Sequence, residues 1–222
     1  MDEITKAFNA VQSSSKNFDS FKMGWEACLL SIAQEKAKKT SIKKRGINFA
    51  DFVIDKEKGW GVRHALLGYL CDGGYKIATD GTFLLKMEET YPEEQEKKII
   101  NPLDGEEVEG TFPNYKRVIP DVDDMEEFSL SLEDLKIIRS ASTSKSVGKL
   151  KDIFVEIGDY KFSLFVLDRL MKVRTAFDGK LYCAGNKHAL SYVFDKGVFV
   201  FQPLYPDANC QFCYKNGILN KI

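Results

Sequence analysis

Short apolar runs bounded by glycine, asparagine and aspartate constrain the fold of this chain more than any other feature. The segments YKIATDG and TFLLKME flank the Asp80-Gly81 pair, and KDIFVEIG, LYCAG, ALSYVFD and GVFVFQPL follow later. Each run has the length and the β-branched or aromatic content of a strand. Glycine and aspartate supply the backbone conformations that turns between such runs require. The pattern predicts an α+β fold in which strands dominate.

Helical periodicity is confined to a few segments. In the second half of the chain, Ser131 is the predicted N-cap of a helix, because Glu133 and Asp134 then lie in its first turn. A second helix is predicted for FSLFVLDRLMKV, and HALLGYL is also helix-prone. The segments NFADFVID and FSLSL are predicted as strands.

The chain is organised as an arm followed by a body. Apolar residues such as Phe8, Phe18 and Trp25 recur at helical spacing around the polar stretch SSSKN, and the basic run KKTSIKKR follows them. The acidic run DVDDMEE separates two parts of the body. We predict a helical arm and basic linker over 1–45, a first half over 46–120, and a second half with a C-terminal tail over 121–222.

Composition excludes several classes of protein. With 222 residues and 44% hydrophobic content, the chain can bury a sizeable core. A formal net charge of −1, from 32 basic and 33 acidic side chains, argues against a surface devoted wholly to phosphate binding. No apolar run approaches the length of a membrane span, and MDEITKAF is too polar for a secretory signal. We therefore expect a soluble cytoplasmic protein that does not contact membranes.

No catalytic or metal-binding pattern emerges from the sequence. The five cysteines read as reduced thiols, and the two histidines, His64 and His188, lie in no nucleophile or base motif. The pair Cys210 and Cys213 forms a single CxxC, which without a second pair is weak evidence for zinc. We expect no enzyme activity, no metal and no cofactor. The alternative is a ligand-binding or enzymatic domain in which Cys183 and His188 join the CxxC pair.

Two ordered segments carry a resemblance to a known family. They are LLGYLCDGGYKIATDGTFLL, Leu66 to Leu85, and GTFPNYKRVIP, Gly110 to Pro120, and the later run VFVFQPLY adds a third match. All three resemble bacterial DNA sliding clamps, the beta subunits that tether the replicative polymerase to its template. The resemblance extends over roughly 48–205. The chain is too short for the three domains of such a clamp, so it resembles a shortened, divergent relative.

The resemblance implies a groove for partner peptides. In clamps these three stretches converge on one apolar groove that receives short linear peptides from polymerases and repair proteins. The family's histidine and arginine after the ATDG glycine are replaced here by Thr82 and Phe83. The implied groove residues are Leu66, Thr79, Gly81, Thr82, Phe83, Leu84, Pro113, Arg117, Val118, Val200, Phe201, Gln202, Pro203 and Leu204.

The resemblance also implies a surface that faces DNA, on the two helices of the second half. Its implied residues are Lys136, Arg139, Lys145, Arg169, Lys172 and Arg174. A solvated basic face is the alternative, and whether the chain binds double-stranded DNA or forms a homo-oligomer stays open. The expected function is non-enzymatic docking of replication or repair proteins. A clamp-mimicking interaction protein without a DNA role is the alternative.

Overall fold

The computed structural model describes residues 46–54, 64–140, 142, 147–183 and 189–222. The chain divides into two compact units, Met1–Arg45 and Gly46–Ile222. The predicted helical arm and basic linker lie outside the described residues, as do Lys145 and His188. Within the described ranges, no helix combines the length and apolar character needed to cross a bilayer.

The second unit is rich in strands, as the sequence predicts. Its strands are β1 Tyr69–Asp72, β2 Tyr75–Thr79, β3 Phe83–Glu88, β4 Ile99–Ile100, β5 Glu126–Glu127, β6 Phe154–Ile157, β7 Tyr160–Ser163, β8 Gly179–Cys183, β9 Leu190–Phe194, β10 Gly197–Phe201, β11 Phe212–Lys215 and β12 Ile218–Lys221. An antiparallel sheet has the order β4-β1-β2-β3-β10-β9-β8-β5. A second sheet has the order β12-β11-β6-β7, in which β11 runs parallel to β6.

Helices supply the remaining regular structure. The α-helices among the described residues are α1 Leu132–Arg139, α2 Val147–Lys151 and α3 Leu164–Ala176. Short 3-10 turns occur at Phe49–Asp51, His64–Leu67, Glu93–Gln95 and Tyr115–Arg117. Strands outnumber helices in this part of the chain, so the α+β prediction is confirmed.

One apolar core joins both sheets and the helices. Helix α3 contributes Leu164, Leu167, Leu170 and Val173, all buried, which is why its sequence is apolar around much of its circumference. Edge-to-face and tilted aromatic contacts connect Phe83 of β3 with its neighbours on other elements. Helix α3, the longer of the two helices predicted for the second half, is therefore the element around which the body packs.

The predicted start of α1 is confirmed in atomic detail. The Ser131 hydroxyl accepts a hydrogen bond from the Asp134 amide at 3.1 Å, and the Asp134 carboxylate accepts one from the Ser131 amide at 2.7 Å. This reciprocal arrangement is a capping box, which satisfies two amides that the helix leaves unpaired.

Three short predictions differ from the structure. The described part of NFADFVID, 48–54, forms a 3-10 turn and no strand, because the Asn48 side chain accepts a hydrogen bond from the Ala50 amide, and Phe49 and Phe52 both turn into the core. HALLGYL is helical only as the 3-10 turn His64–Leu67, after which the chain enters β1. FSLSL itself forms no strand, and the strand β5 lies directly before it, where two glutamates pair with β8.

The segment after Tyr205, which the sequence marked only as a tail, forms two strands. Residues of β11 pair with β6 and with β12, so the hairpin completes the second sheet. Tyr214 of β11 is buried, and its hydroxyl donates to the Asp134 carboxylate at the start of α1. Tyr214 thus connects the tail with the core.

Strands β3 and β10 join the two predicted halves. They pair antiparallel from Gly197 opposite Met87 to Phe201 opposite Phe83, so 46–120 and 121–222 share one sheet. The division into two halves stays a prediction. At Gly197 a Cβ would lie 2.0 Å from the Lys86 carbonyl oxygen, closer than real Cβ atoms approach backbone.

Replacing Gly197 with alanine should destabilise the body by about 1–3 kcal/mol, because the added methyl meets backbone that cannot move without opening β3 from β10. Urea denaturation followed by circular dichroism measures this change. Gly46→Ala is the matched control, since a Cβ there meets nothing within 4 Å. Equal stability of the two variants would contradict the close approach at Gly197.

Candidate peptide-binding groove

A cavity of about 500 Å³ lies where the β2–β3 turn, the segment after Gly110 and the end of β10 meet. A second cavity of about 590 Å³ shares Gly81, Thr82 and Gln202 with it. We call the two together the groove. The first cavity is lined by Leu66, Thr79, Gly81, Thr82, Phe83, Leu84, Phe112, Pro113, Tyr115, Val118, Val200, Phe201 and Gln202. The second is lined by Gly81, Thr82, Gln202, Pro203, Leu204, Tyr205, Pro206 and Asp207.

The structure brings together most of the residues implied by the resemblance. All of them line the first cavity except Arg117, Pro203 and Leu204, and the last two line the second. Arg117 lines neither cavity. Sequence reasoning missed Phe112 and Tyr115, although both are aromatic and flank Pro113 within the same motif. Their position within that motif could have predicted that they line the groove.

Hydrogen bonds fix the β2–β3 turn that separates the two cavities. The Thr79 hydroxyl donates to the Phe83 carbonyl at 2.5 Å and accepts from the Gly81 amide at 3.0 Å. The Asp80 carboxylate accepts from the Thr82 amide at 2.9 Å. Gly81 has a φ of +93°, a backbone conformation that glycine adopts without strain. The sequence ATDGT therefore produces one defined turn.

The segment from Phe112 to Ile119 is held against the sheet by a small apolar cluster. Tyr115 packs with Ile77 of β2, Leu84 of β3 and Val200 of β10, all of them buried. Phe112 and Ile119 pack against the same cluster. Because this cluster spans neighbouring strands, it fixes the far wall of the first cavity relative to the turn.

A polar anchor reinforces this attachment. The Tyr115 hydroxyl donates to the Asp72 carboxylate at 2.7 Å, and the Lys97 ammonium pairs with the other oxygen of that carboxylate. The hydrogen bond from Lys97, joined by the one from Tyr115, lowers the pKa of Asp72. Burial and the bond to Asp72 raise the pKa of Tyr115 to about 12, so it stays a neutral donor near neutral pH.

The groove has an apolar, almost uncharged lining. Among the described residues, none that lines the first cavity carries a carboxylate, ammonium or guanidinium group, and Asp207 is the one that does so in the second. Polar groups are limited to hydroxyls, the Gln202 amide and backbone. Val118 is 46% exposed, so an apolar side chain at the rim meets solvent. Such a surface can bury aliphatic and aromatic side chains, while a few hydrogen bonds fix their orientation.

The basic residues implied to face DNA are engaged by groups of the protein itself. Arg139 and Arg169 both bond the Asp168 carboxylate, at 2.7 and 3.0 Å, and Arg169 is 4% exposed. Burial removes Arg169 from the candidate DNA surface, because its place on the helix points it into the body. Lys172 pairs with Asp51 at 2.8 Å.

The other two described residues of this set have similar partners. Lys136 pairs with the exposed Glu133 at 2.6 Å, and Arg174 donates to the Leu130 carbonyl and stacks over the Tyr192 ring. Helical spacing alone could not show these acceptors, since most of them come from other elements.

The three cysteines of the alternative site lie among the described residues, whereas its histidine, His188, does not. Cys210 and Cys213 are free thiols, and burial raises the pKa of Cys210. Cys183 is buried and hydrogen-bonded to the Tyr160 hydroxyl. In the portion of the chain that the structure describes, no group of three or more histidine, cysteine, aspartate or glutamate side chains could hold a metal ion.

Comparison with known proteins gives structural matches only. No family model and no curated protein matches this sequence. The chain is similar to a Caulobacter crescentus beta sliding clamp, with 17% identity and a TM-score of 0.46 over 72% of this chain and 63% of that chain. It is also similar to a DNA polymerase sliding clamp from Pseudomonas aeruginosa, with 14% identity and a TM-score of 0.44 over 72% of this chain and 64% of that chain.

The chain thus spans less than two thirds of the length of these clamps. Both clamps belong to the family that the sequence motifs resemble.

Tyr115→Phe should lower the free energy of unfolding by about 1–2 kcal/mol at pH 7, because it removes a hydrogen bond to an ionised carboxylate. Asp72 has a lowered pKa in the fold, so its stabilisation is present above the unfolded value of about 3.9 and is lost as the pH falls through the folded value. The effect of the substitution should therefore shrink below about pH 4.

Denaturation between pH 3 and 7 measures this dependence. Tyr205→Phe is the control, because that side chain is 85% exposed. An effect of Tyr115→Phe that does not change with pH would contradict the role of Asp72.

Proposed function

We propose that this protein is a non-enzymatic, sliding-clamp-like docking protein that binds short linear peptides of replication or repair proteins in the groove. One observation carries the proposal: three stretches far apart in sequence converge on one apolar cavity that adjoins a second. The resemblance of the same stretches to the clamp family supplies the class of partner.

The groove suits peptide anchors by size and by chemistry. Each cavity lies within the range of about 300–1,000 Å³ typical of ligand sites. Pro113 and the paired strands β3 and β10 make the walls rigid, so less ordering entropy opposes binding. Leucine and phenylalanine anchors can fill the apolar walls while Thr82 and Gln202 offer hydrogen bonds at the boundary between the cavities.

The charge pattern favours peptide docking without tight DNA contact. Each described basic residue of the candidate DNA surface has an acceptor within the protein, and freeing it would cost that interaction. Contact with DNA and assembly into a ring stay predictions. We therefore favour the alternative in which this protein is an interaction protein that competes with a clamp for its partners.

Pro113→Ala combined with Val118→Ala should weaken binding of an end-blocked peptide with leucine and phenylalanine anchors by about tenfold. Removing the two methyl groups of valine from a contact costs roughly 0.8 kcal/mol each, and the loss of Pro113 loosens the wall. Isothermal titration calorimetry measures the affinity.

Ile218→Ala is the matched control, because Ile218 is 60% exposed, apolar and absent from the lining of the groove. We expect it to bind as the wild type does. Failure of the wild-type protein to bind the peptide would overturn the proposed function.

We further expect a 30-base-pair DNA duplex to bind weakly, with an affinity that disappears near physiological salt. Fluorescence anisotropy from low to physiological salt concentration measures this, and size-exclusion chromatography with light scattering gives the oligomeric state. Retained binding at physiological salt that Lys136→Gln and Lys172→Gln abolish would contradict the favoured version. A ring-sized oligomer would favour a true clamp.

A further inference from the structure

The Asp80 carboxylate, in the turn between the two cavities, is almost entirely shielded from solvent. Its side chain is 4% exposed. One oxygen accepts hydrogen bonds from the Thr82 amide and hydroxyl, at 2.9 and 2.6 Å. The other oxygen lies 3.6 Å from the Lys151 ammonium. Because an ionised carboxylate loses hydration on burial, it depends on such partners to stay in place.

Lys151 connects this turn with the helical side of the body. It is the last residue of α2, and its ammonium lies 4.4 Å from the centre of the Phe165 ring on α3. The Phe165 ring in turn lies 5.9 Å from the ring of Phe83, which lines the first cavity. One ammonium group therefore contacts both the charged side of the turn and the aromatic layer behind it.

We infer that Lys151 is a positioning residue for the groove: through Asp80 it holds the turn that forms the wall shared by the two cavities. The inference rests on the proposed function. Lys151 itself does not line either cavity, so it acts on a bound peptide only through the turn.

The geometry of the turn explains how the Lys151 charge affects the groove although Lys151 does not line it. Gly81 and Thr82 line both cavities, and their amides are bonded to the Thr79 hydroxyl and the Asp80 carboxylate. Without the Lys151 ammonium, the Asp80 carboxylate is better stabilised by moving towards water. Thr82 moves with it, because its amide is hydrogen-bonded to that carboxylate. Both cavities then change shape together.

The test compares three variants with the wild type. Lys151→Gln removes the charge, Lys151→Arg keeps a cation that can reach a carboxylate, and Lys149→Gln removes an exposed charge from the same helix. The probe is an end-blocked, uncharged peptide with leucine and phenylalanine anchors. We expect Lys151→Gln to weaken its binding roughly two- to fivefold, the range of a partly exposed ion pair. Lys151→Arg and Lys149→Gln should bind as the wild type does.

The salt dependence of the peptide affinity distinguishes an electrostatic role of Lys151 from a general loss of structure. The peptide carries no charge, so its own contacts are not ionic. Because the Lys151 side chain is 46% exposed, added salt should partly screen the Lys151–Asp80 pair and weaken binding to the wild-type protein by less than Lys151→Gln does, and it should have no such effect on Lys151→Gln.

Amide hydrogen exchange tests the turn without any peptide. In Lys151→Gln the Gly81 and Thr82 amides should exchange roughly two- to fivefold faster than in the wild type, while those of β9 stay unchanged. Unchanged exchange at the turn overturns the inference, as does unchanged peptide affinity in Lys151→Gln. If the wild type binds no peptide but the exchange effect appears, the proposed function fails and the role of Lys151 in the turn stands.

Discussion

The antiparallel pairing of β3 with β10 is the constraint on which the rest of the structure depends. It connects residues more than a hundred positions apart and makes one sheet from segments on either side of the acidic run DVDDMEE. Phe201 lies opposite Phe83, so the strand end that carries Gln202 arrives beside the β2–β3 turn. Without this register the turn and the end of β10 would not share a cavity. The close approach at Gly197 is a local requirement of the same pairing.

Several buried charges in this protein stabilise its own architecture. The carboxylates of Asp72, Asp80 and Asp168 are largely buried side chains, and each is paired with a lysine or arginine. These pairs connect β1 with the segment before β4, the β2–β3 turn with α2, and α1 with α3. The lining of the groove is left almost uncharged, which suits apolar anchors.

The sequence predicted best where structure is local. The runs around Asp80-Gly81, the capping residue Ser131 and the periodic segment that became α3 all correspond to observed elements, since turn chemistry, caps and periodicity are written in adjacent residues. The composition of the groove was accessible only through the resemblance, because no periodic pattern relates Pro113 to Val200. The strand predicted for NFADFVID does not form, because the Asn48 side chain accepts a local hydrogen bond from the Ala50 amide. An alternating pattern of apolar residues does not reveal such a bond. The burial of Arg169 could not be predicted, because helical spacing does not show that Asp51, from another element, lies beside its guanidinium group.

The strands after Tyr205 show how a segment outside the resemblance can support a site within it. After β10 the chain continues through Pro203 and Leu204, which both line the second cavity. The Leu204 amide donates to the Lys161 carbonyl at 2.7 Å, and the Lys161 ammonium donates to the Ala208 carbonyl at 2.9 Å. Strand β7 therefore holds this loop at both ends before β11 enters the second sheet. Because Tyr214 is buried and bonded to Asp134, the hairpin anchors the chain that follows this loop.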